Sequence, residues 1–277
     1  MPEIDFFDFS TLHYDIDLAT RKEHIAEVKR IRCEALVGRY GFDEKELIEK
    51  GYLWNEDDDR SFIYLIRHRE TDRYVGTVRI CFVNDKTPRT LPLQHEFQVD
   101  RAEAYLSSLP CGEISRFALA QTLPTHSHIS LLTLRHLLTT LLMTATRLNM
   151  IVYPYRSILA IMEPMLYRIL RRQGVVFDPI GEPIEFYGKR TPYAVDRQRL
   201  LRSTEAKLGP LTRFYLERLC HDPSDFVSFV SRHPYLDTAS IPIERLCRSL
   251  NASRNTYEIS YLSPDTTLHT STARRPS

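Results

Sequence analysis

Residues 112–120 read GEISRFALA, and this stretch predicts a β-strand that carries charged side chains into a sheet. Side chains alternate along a strand, so one face is predicted to carry Glu113, Ser115 and Phe117. The opposite face then carries Ile114 and Arg116. A carboxylate and a guanidinium are costly to bury unless they are paired. Taken alone, the segment fits either a surface strand with a cross-strand ion pair or a strand that carries a functional site.

The segments around this strand predict an α/β sandwich with a mixed sheet. Residues 61–67 and 74–83 are rich in β-branched and aromatic residues and flank the turn ETDR, which predicts a hairpin. Apolar residues at helical spacing predict helices over 19–36 and 129–149. The remaining predicted elements are a strand over 157–161, a helix from Pro164 to Gly174, two short strands within 175–188 and a strand over 191–195.

Two changes in composition divide the chain. Residues 1–196 contain the predicted sheet and its helices. Residues 197–250 read as two or three amphipathic helices and are predicted to form a helical appendage. From residue 251 to residue 277, Ser, Thr, Arg and Asn predominate without apolar periodicity, which predicts a disordered tail.

The overall composition predicts a globular protein and excludes several function classes. The 277 residues are 43% hydrophobic and 26% charged, with a formal net charge of +1, which gives no global attraction for nucleic acid. The most apolar stretch, residues 129–142, is interrupted by Arg135 and His136 and is too short to cross a bilayer. The acidic N-terminus has no apolar run after basic residues, so no signal peptide is predicted.

Cysteine and histidine usage predicts neither a disulfide framework nor a metal site. The five cysteines contain no CxxC pair, which fits a protein of the reducing cytoplasm. Cys111 lies two residues before Glu113, but no His is obviously placed to activate it, so a structural thiol is favoured. His126 and His128 lie in a predicted loop without a nearby Cys or acidic pair.

Two further segments carry charge in an apolar context. Residues 75–80 read VGTVRI, a strand pattern with Arg79 among β-branched residues. Arg32 lies near the end of the first predicted helix, Phe42 follows ten residues later, and an acidic run covers residues 56–59. Each feature alone is typical of ordinary surface, either an edge-strand arginine or a solvated acidic loop. The order of these features along the chain is what makes them informative.

The ordered set resembles the acyl-homoserine lactone synthases. The shared pattern is an Arg near the end of the first helix, an aromatic residue, an acidic cluster before a hairpin, V-G-x-x-R, and then E-x-S-R-F. The later part, from Met162-Glu163-Pro164 to Arg190-x-Pro192-Tyr193, is similar to a sister group. That group comprises the acyltransferases associated with the PEP-CTERM/exosortase system and the related N-acyl amino acid synthases. The resemblance covers roughly residues 8–200.

This resemblance implies the GNAT fold, in which a splayed mixed sheet holds the pantetheine arm of an acyl donor. It implies an acyltransferase that moves a fatty acyl group from an acyl-carrier-protein thioester, or from acyl-CoA, to the amine of an amino acid or similar small molecule. No permanently bound cofactor and no metal are implied. By position, the catalytic set is Glu113, Arg116 and Ser115. The substrate-binding set is Arg32, Phe42, Asp58, Asp59, Arg79 and Phe117, with Asp58 and Asp59 as alternatives for the family's acidic position.

These residue types suit amide formation from a thioester. A carboxylate such as Glu113 can take a proton from the attacking amine, directly or through a water. Backbone N–H groups near Phe117 and Ala118 are candidates for stabilising the oxyanion if the strand bulges there. Tyr167 and Tyr187 are weaker candidates for protonating the leaving thiol, because each also fits as a packed aromatic.

The segment before the long helix favours a carrier-protein donor over CoA. Residues 121–128 read QTLPTHSH and contain no glycine, whereas acetyl-CoA enzymes of this fold bind pyrophosphate on a glycine-containing loop. An acidic carrier protein needs a basic landing surface. The candidates, which also read as ordinary solubilising surface, are Arg67, Arg69, Arg147, Arg168, Arg171, Arg172, Lys189 and Arg190.

Departures from the family pattern leave alternatives open. Leu36 stands where the synthases have Phe, and Phe42 stands where they have Trp. Because of these changes, we expect an N-acyl amide rather than a homoserine lactone as the main product. A non-catalytic GNAT-like module that binds acyl chains or carrier protein would keep the same fold. Only an enzyme needs Glu113 together with the arginines, so the enzyme is favoured.

Overall fold

The computed structural model describes residues 5–236 except 96, 98 and 187, together with residues 241, 243 and 247. The predicted disordered tail over 251–277 and the candidate acid Tyr187 therefore lie outside the described residues. None of the described helices combines the length and the apolar character needed to cross a bilayer.

A mixed sheet runs through the described part of the chain. Its strands are β1 (Tyr14–Leu18), β2 (Ser61–His68), β3 (Arg73–Val83), β4 (Cys111–Leu119), β5 (Ser157–Met162), β6 (Asp178–Pro179), β7 (Ile184–Glu185) and β8 (Lys189–Asp196). The strand order is β1-β2-β3-β4-β5-β8-β6, and β7 also pairs with β8. The pair β4–β5 is parallel, and the other pairs are antiparallel. This arrangement confirms the predicted α/β class with a mixed sheet.

Helices cover both faces of the sheet. They are α1 (Phe6–His13), α2 (Lys22–Tyr40), α3 (Glu44–Glu49), α4 (Glu56–Asp59), α5 (Pro92–His95), α6 (Glu103–Leu106), α7 (Leu131–Val152), α8 (Pro164–Arg171), α9 (Arg197–His221) and α10 (Ser224–Arg232). The end of α2 is set by Gly41, whose φ of 69° is a left-handed conformation that favours glycine. The start of α7 is capped by Ser130, whose hydroxyl accepts the N–H of Thr133.

The long helix α7 is buried on nearly every side, from Leu137 to Met150, because it lies between the sheet and α9. On the opposite face of the sheet, α2 packs through Val28 and Ile31 against Ile63 of β2. The main apolar core therefore lies on the α7 side, and a smaller core lies on the α2 side.

The C-terminal helices join the main core. Where two helices were predicted, α9 is a single helix of 25 residues with Pro210 inside it. Arg147 of α7 is buried and donates to the carbonyl of Leu201 and to Glu205 on α9. Cys220 and Cys247 form a disulfide, which corrects the expectation that the cysteines are unpaired. The two partners are 27 residues apart, so no CxxC spacing marks them in the sequence.

The sheet opens between its two central strands. The parallel pairing of β4 with β5 ends at Ile114 and Ala160. Beyond that pair, β4 continues to Leu119 along β3 only, and β5 continues to Met162 along β8 only. After Ile114 and Ala160, β4 and β5 are no longer hydrogen-bonded to each other. The gap between the two strands borders the cavity described next.

Candidate functional site

A cavity of about 710 Å³ lies where β4 and β5 separate. Its size is in the range of small-molecule sites, about 300–1,000 Å³. It is bordered by the second half of β4, the end of β5, the last turns of α2, and parts of α7 and α8. Glu113, Ser115, Arg116 and Phe117 of the predicted site are among the residues that line this cavity.

Arg32 and Ser115 line one side of the cavity, and a buried network of arginine and carboxylate side chains holds them from behind. We call this side, together with the network behind it, the polar wall. Arg79 is fully buried and donates from Nε to the Ser115 hydroxyl at 3.0 Å and from Nη1 to the Asn55 amide oxygen at 3.0 Å. The same Nη1 lies 3.5 Å from Oδ1 of Asp58. Arg32 donates from Nη2 to that carboxylate at 2.8 Å and from Nη1 to the Leu53 carbonyl at 2.9 Å. The structure therefore brings together residues that are up to 83 positions apart.

The charges of this wall shift each other's pKa values. Burial raises the pKa of Asp58, but Arg32 and Arg79 outweigh this effect and lower it below its usual value. The pKa of Arg32 is lowered to about 10, because burial and the nearby cations of Arg79 and Arg116 together outweigh the opposing effect of Asp58. At neutral pH, Asp58 is therefore ionised and Arg32 protonated, and the pair is held in a fixed geometry.

Glu113 stands beside this network on the same strand as Ser115. The residue belongs to the cavity lining although it is only 2% exposed. Carboxylate Oε2 accepts the backbone N–H of Leu93 at 2.8 Å. This bond fixes one carboxylate oxygen.

A β-bulge interrupts β4 at Arg116. The pairs Thr77–Ala118 and Arg79–Ser115 span two steps on β3 but three on β4, so β4 carries one extra residue. Arg116 takes a left-handed φ of 53°, a strained conformation outside glycine. Its guanidinium lies over the ring of Tyr52, with its carbon 5.6 Å from the ring centroid.

The bulge corrects the predicted alternation of faces. Arg116 was assigned to the face opposite Ser115, but the bulge turns it to the side of Tyr52 and Arg32. Phe117 was assigned to the Glu113 face, but it packs with the main core on the α7 side. A strict two-residue period fails here because the extra residue reverses the side of every later position.

Apolar side chains form the other side of the cavity, which we call the apolar wall. It is built from β4 after the bulge, from the middle of α7 and from α8. Its members are Phe117, Leu119, Met143, Leu166, Leu170 and Phe177. None of these side chains carries a charge, so this wall suits an alkyl chain.

A third group of residues forms a polar cluster at the cavity, and the sequence did not predict that they come together. Glu163, just before α8, accepts the Tyr40 hydroxyl at 2.8 Å and pairs with Arg39 at the end of α2. Arg190 of β8 donates to the Tyr40 hydroxyl at 2.9 Å and lies 3.3 Å from Glu163. This cluster joins α2 to α8 across the cavity. Its members belong to three separate segments, so no local motif connects them.

Other predicted positions fall into distinct environments. Of the two acidic alternatives, Asp59 is exposed and accepts the Trp54 indole N–H at 3.1 Å, so only Asp58 joins the arginines. Phe42 lines the cavity and packs edge-on against Tyr52. Burial raises the pKa of the Cys111 thiol to about 12, as expected for a structural cysteine.

Several arginines proposed for a carrier-protein surface are already engaged. Arg67 pairs with Asp15, Asp17 and Asp72, and Arg69 pairs with Asp15. Arg147 is buried against α9, and Arg190 belongs to the Glu163 cluster. The exposed candidates are Arg168, Arg171, Arg172 and Lys189.

Comparisons with solved structures place this architecture. The acyl-homoserine lactone synthase LasI superimposes with a TM-score of 0.53 and 16% identity, over 71% of this chain and 96% of that one. This chain shares the fold of LasI. The N-acyl amino acid synthase FeeM from uncultured soil microbes matches with a TM-score of 0.48, 14% identity, and 73% and 97% coverage. The acyl-homoserine lactone synthase BjaI, solved with SAM and isopentyl-CoA, matches with a TM-score of 0.47 and 20% identity, over 71% of this chain and 89% of that one.

The similarity to LasI confirms the predicted fold class. No protein-family profile matches the chain, and no curated protein matches it in sequence. The region that matches LasI corresponds to about seven tenths of the chain, in line with the predicted extent of the resemblance.

Proposed function

We propose that this protein is an N-acyltransferase that moves a fatty acyl group from an acyl-carrier-protein thioester to the amine of an amino acid or a similar small molecule. The observation that carries this proposal is the bulged strand β4 at the splay of the sheet. It brings a carboxylate, a hydroxyl and an arginine network to one side of a cavity whose other side is apolar. Acyl transfer to a polar amine needs this combination.

Glu113 is assigned as the group that receives the proton of the amine. In the reaction, the amine nitrogen attacks the thioester carbonyl carbon, the C–N bond forms, and the C–S bond breaks. The amine proton passes to the Glu113 carboxylate, directly or through a water, and from there to the leaving thiolate, which becomes a thiol and restores the carboxylate. General base assistance of this kind contributes about 10²–10⁴-fold to rate.

The bulge supplies a place for the oxyanion that develops on the carbonyl. Arg116 and Phe117 lie in the register shift between Ser115 and Ala118, and neither has a register partner on β3. We assign the backbone N–H of Phe117 as the oxyanion donor. A pre-organised N–H donor aimed at a developing oxyanion typically contributes about 10²–10³-fold. The sequence analysis made this assignment depend on a bulge, and β4 has a bulge at this point.

The polar wall is assigned to the acceptor. Arg32, Arg79 and Arg116 lie close enough for their charges to interact, and Asp58 holds the first two in place. A carboxylate on the acceptor, as in an amino acid, would be attracted to this wall. An amino acid acceptor is therefore preferred over a neutral amine, and lactone formation stays the minority product.

The start of α7 favours a carrier-protein donor. Leu131 and Leu132, in its first turn, are 58% and 79% exposed, where an acetyl-CoA enzyme of this fold would bind pyrophosphate. Exposed apolar residues suit contact with a protein better than contact with a phosphate. The exposed arginines of α8 complement an acidic carrier protein. A cytoplasmic location and a link to the exosortase system remain part of this proposal.

The experiment is incubation of the full chain with acyl-carrier proteins and acyl-CoAs of several chain lengths and a panel of amines, followed by mass spectrometry of new amides and lactones. We expect an N-acyl amino acid from an acyl-carrier-protein donor. If no pair gives a product while acyl-carrier protein still binds, the chain is a non-catalytic acyl-binding module. A product formed only from acyl-CoA would contradict the donor assignment.

A further inference from the structure

Three histidines meet at a place that is separate from the cavity. They are His13 at the end of α1, His68 at the end of β2, and His126 in the loop before α7. One ring nitrogen of each lies within 4.8 Å of those of the other two. The ring centroids of His126 lie 5.0 Å from His13 and 5.3 Å from His68. None of the three residues lines the cavity.

His68 is oriented as a metal ligand would be. It is 2% exposed, and its Nδ1 lies 2.8 Å from the Thr71 hydroxyl. Its Nε2 is buried and has no hydrogen-bond partner among the described residues. A buried polar atom without a partner is costly, and a hydrogen bond on the far nitrogen is the usual way in which a ligating imidazole is oriented. A bound cation would give Nε2 the partner that it lacks.

The other two rings complete a three-sided arrangement. Nε2 of His126 lies 3.0 Å from the Tyr14 hydroxyl, which leaves Nδ1 as its second nitrogen. The His13 ring makes no hydrogen bond to another described residue and stacks on His68 with centroids 6.3 Å apart. Both rings are half-buried, so their side chains can adjust without disturbing the core.

Two of the three imidazoles have a pKa lowered by their surroundings. Burial lowers the pKa of His68, and His13 lowers it further against the opposing effect of Glu70. Burial also lowers the pKa of His126, with His13 and His68 adding to the effect.

We propose that His13, His68 and His126 bind a divalent transition-metal ion, with Zn²⁺ as the best match to three neutral imidazoles and an open fourth position for water. Tetrahedral Zn²⁺ with Zn–N distances of about 2.0–2.1 Å places its ligand nitrogens about 3.4 Å apart. The ring nitrogens of the three histidines lie within 4.8 Å of one another, and rotation of the half-buried His13 and His126 side chains shortens these distances to the value for bound zinc. The ion would tie the loop between β4 and α7 to the edge of the sheet. The proposal stands independently of acyl transfer.

The competing explanation is that the rings form an aromatic cluster with no ligand. Phe9 lies 4.6 Å from His13 and 4.9 Å from His126, measured between ring centroids. Such a cluster would account for the stacking. It would not supply a partner for Nε2 of His68, and it predicts no preference for metal ions.

The test uses the full chain without an affinity tag, stripped with a chelator and titrated with Zn²⁺ and Co²⁺ in competition with a chromophoric chelator. We expect one ion per chain, a visible d–d absorption typical of four-coordinate Co²⁺, and a Tm rise of roughly 5 °C with Zn²⁺ at about 100 times its Kd. His13→Gln and His126→Gln should each weaken binding by at least about tenfold. The matched control is His128→Gln, an exposed histidine two residues from His126, which should bind as the parent does.

The outcomes separate the two explanations. The absence of stoichiometric Zn²⁺ binding by the parent protein would overturn the proposal, as would equal binding by His13→Gln and the parent. Substitution of the buried His68 risks unfolding, so the decision rests on the two half-buried positions and on the Co²⁺ spectrum of the parent. Acyl transfer is not used as a readout.

Discussion

The polar wall and the apolar wall of the cavity differ in how their side chains are held. On the polar wall, Arg79 and Asp58 are fixed by directional hydrogen bonds with named partners. On the apolar wall, residues such as Leu166 and Leu170 make non-directional contacts that depend on volume alone. Loss of one polar partner leaves another group buried and unpaired, whereas a change of an apolar residue alters shape. The polar wall should therefore control chemistry and stability, and the apolar wall should control chain length.

The largest expected effect is on Glu113. The change Glu113→Gln keeps the carbonyl oxygen that can accept the Leu93 N–H but removes the base. We expect kcat to fall at least about 100-fold, measured by mass spectrometry of the amide product. Circular dichroism should show an unchanged fold.

The matched control for Glu113 is Glu103→Gln, since Glu103 is exposed and does not line the cavity. Its kcat should equal that of the parent. Full activity of Glu113→Gln would eliminate the base assignment and reduce Glu113 to a structural role.

The next effect concerns the ion-pair network. The change Asp58→Asn leaves Arg32 and Arg79 buried without their carboxylate, so the free energy of unfolding should fall by about 3–5 kcal/mol in urea titrations. The neighbouring Asp59→Asn is a matched control, because Asp59 is exposed and asparagine can still accept the Trp54 N–H; it should change stability by no more than about 0.5 kcal/mol. Similar losses in both variants would show that the network does not stabilise the fold.

The same carboxylate predicts a pH dependence. The pKa of Asp58 is lowered in the folded state, so the unfolded chain binds more protons in the range between the two pKa values. Its contribution to stability is present above the unfolded pKa of about 4 and is lost as the pH falls through the folded value. The acid side of the stability profile should therefore be flatter in Asp58→Asn than in the parent, and identical profiles would contradict this linkage.

A smaller effect is expected from the apolar wall. The change Leu166→Trp fills part of the cavity, so the preference should move toward shorter acyl chains by about tenfold in kcat/KM. The rate with the shortest acyl donor should stay within about twofold of the parent, because the polar wall is untouched. A uniform loss with all chain lengths would show that the two walls are not separable.

The smallest effect tests the bulge that divides the walls. Arg116 has a φ of 53°, which glycine adopts without strain. The variant Arg116→Gly should therefore be more stable than Arg116→Ala by about 1 kcal/mol, as measured by urea titration. Both variants lose the guanidinium over Tyr52, so this pair isolates the backbone. An Ala variant as stable as the Gly variant would argue against the left-handed conformation.

The sequence predicted the central elements well because their apolar patterns are long and regular. The strands β2, β3 and β4 differ from their predicted bounds by one residue at most. Helices α1 and α3 were missed because they are short and carry weak apolar patterns. In the site, Arg32, Asp58 and Arg79 come together as the resemblance implied. The predicted sheet faces of Arg116 and Phe117 were wrong, because a simple alternation pattern does not reveal a bulge. The Glu163 cluster and the three histidines were missed, since their members are distant in sequence.

The packing of α9 limits how this chain can be shortened for expression. Leu200, Leu208 and Leu211 of α9 belong to the same core cluster as Leu138 and Leu142 of α7. A fragment ending at residue 196 would leave that side of α7 in contact with water and create a contiguous apolar surface. Such a fragment should self-associate during purification, so trials of a minimal catalytic unit should retain α9.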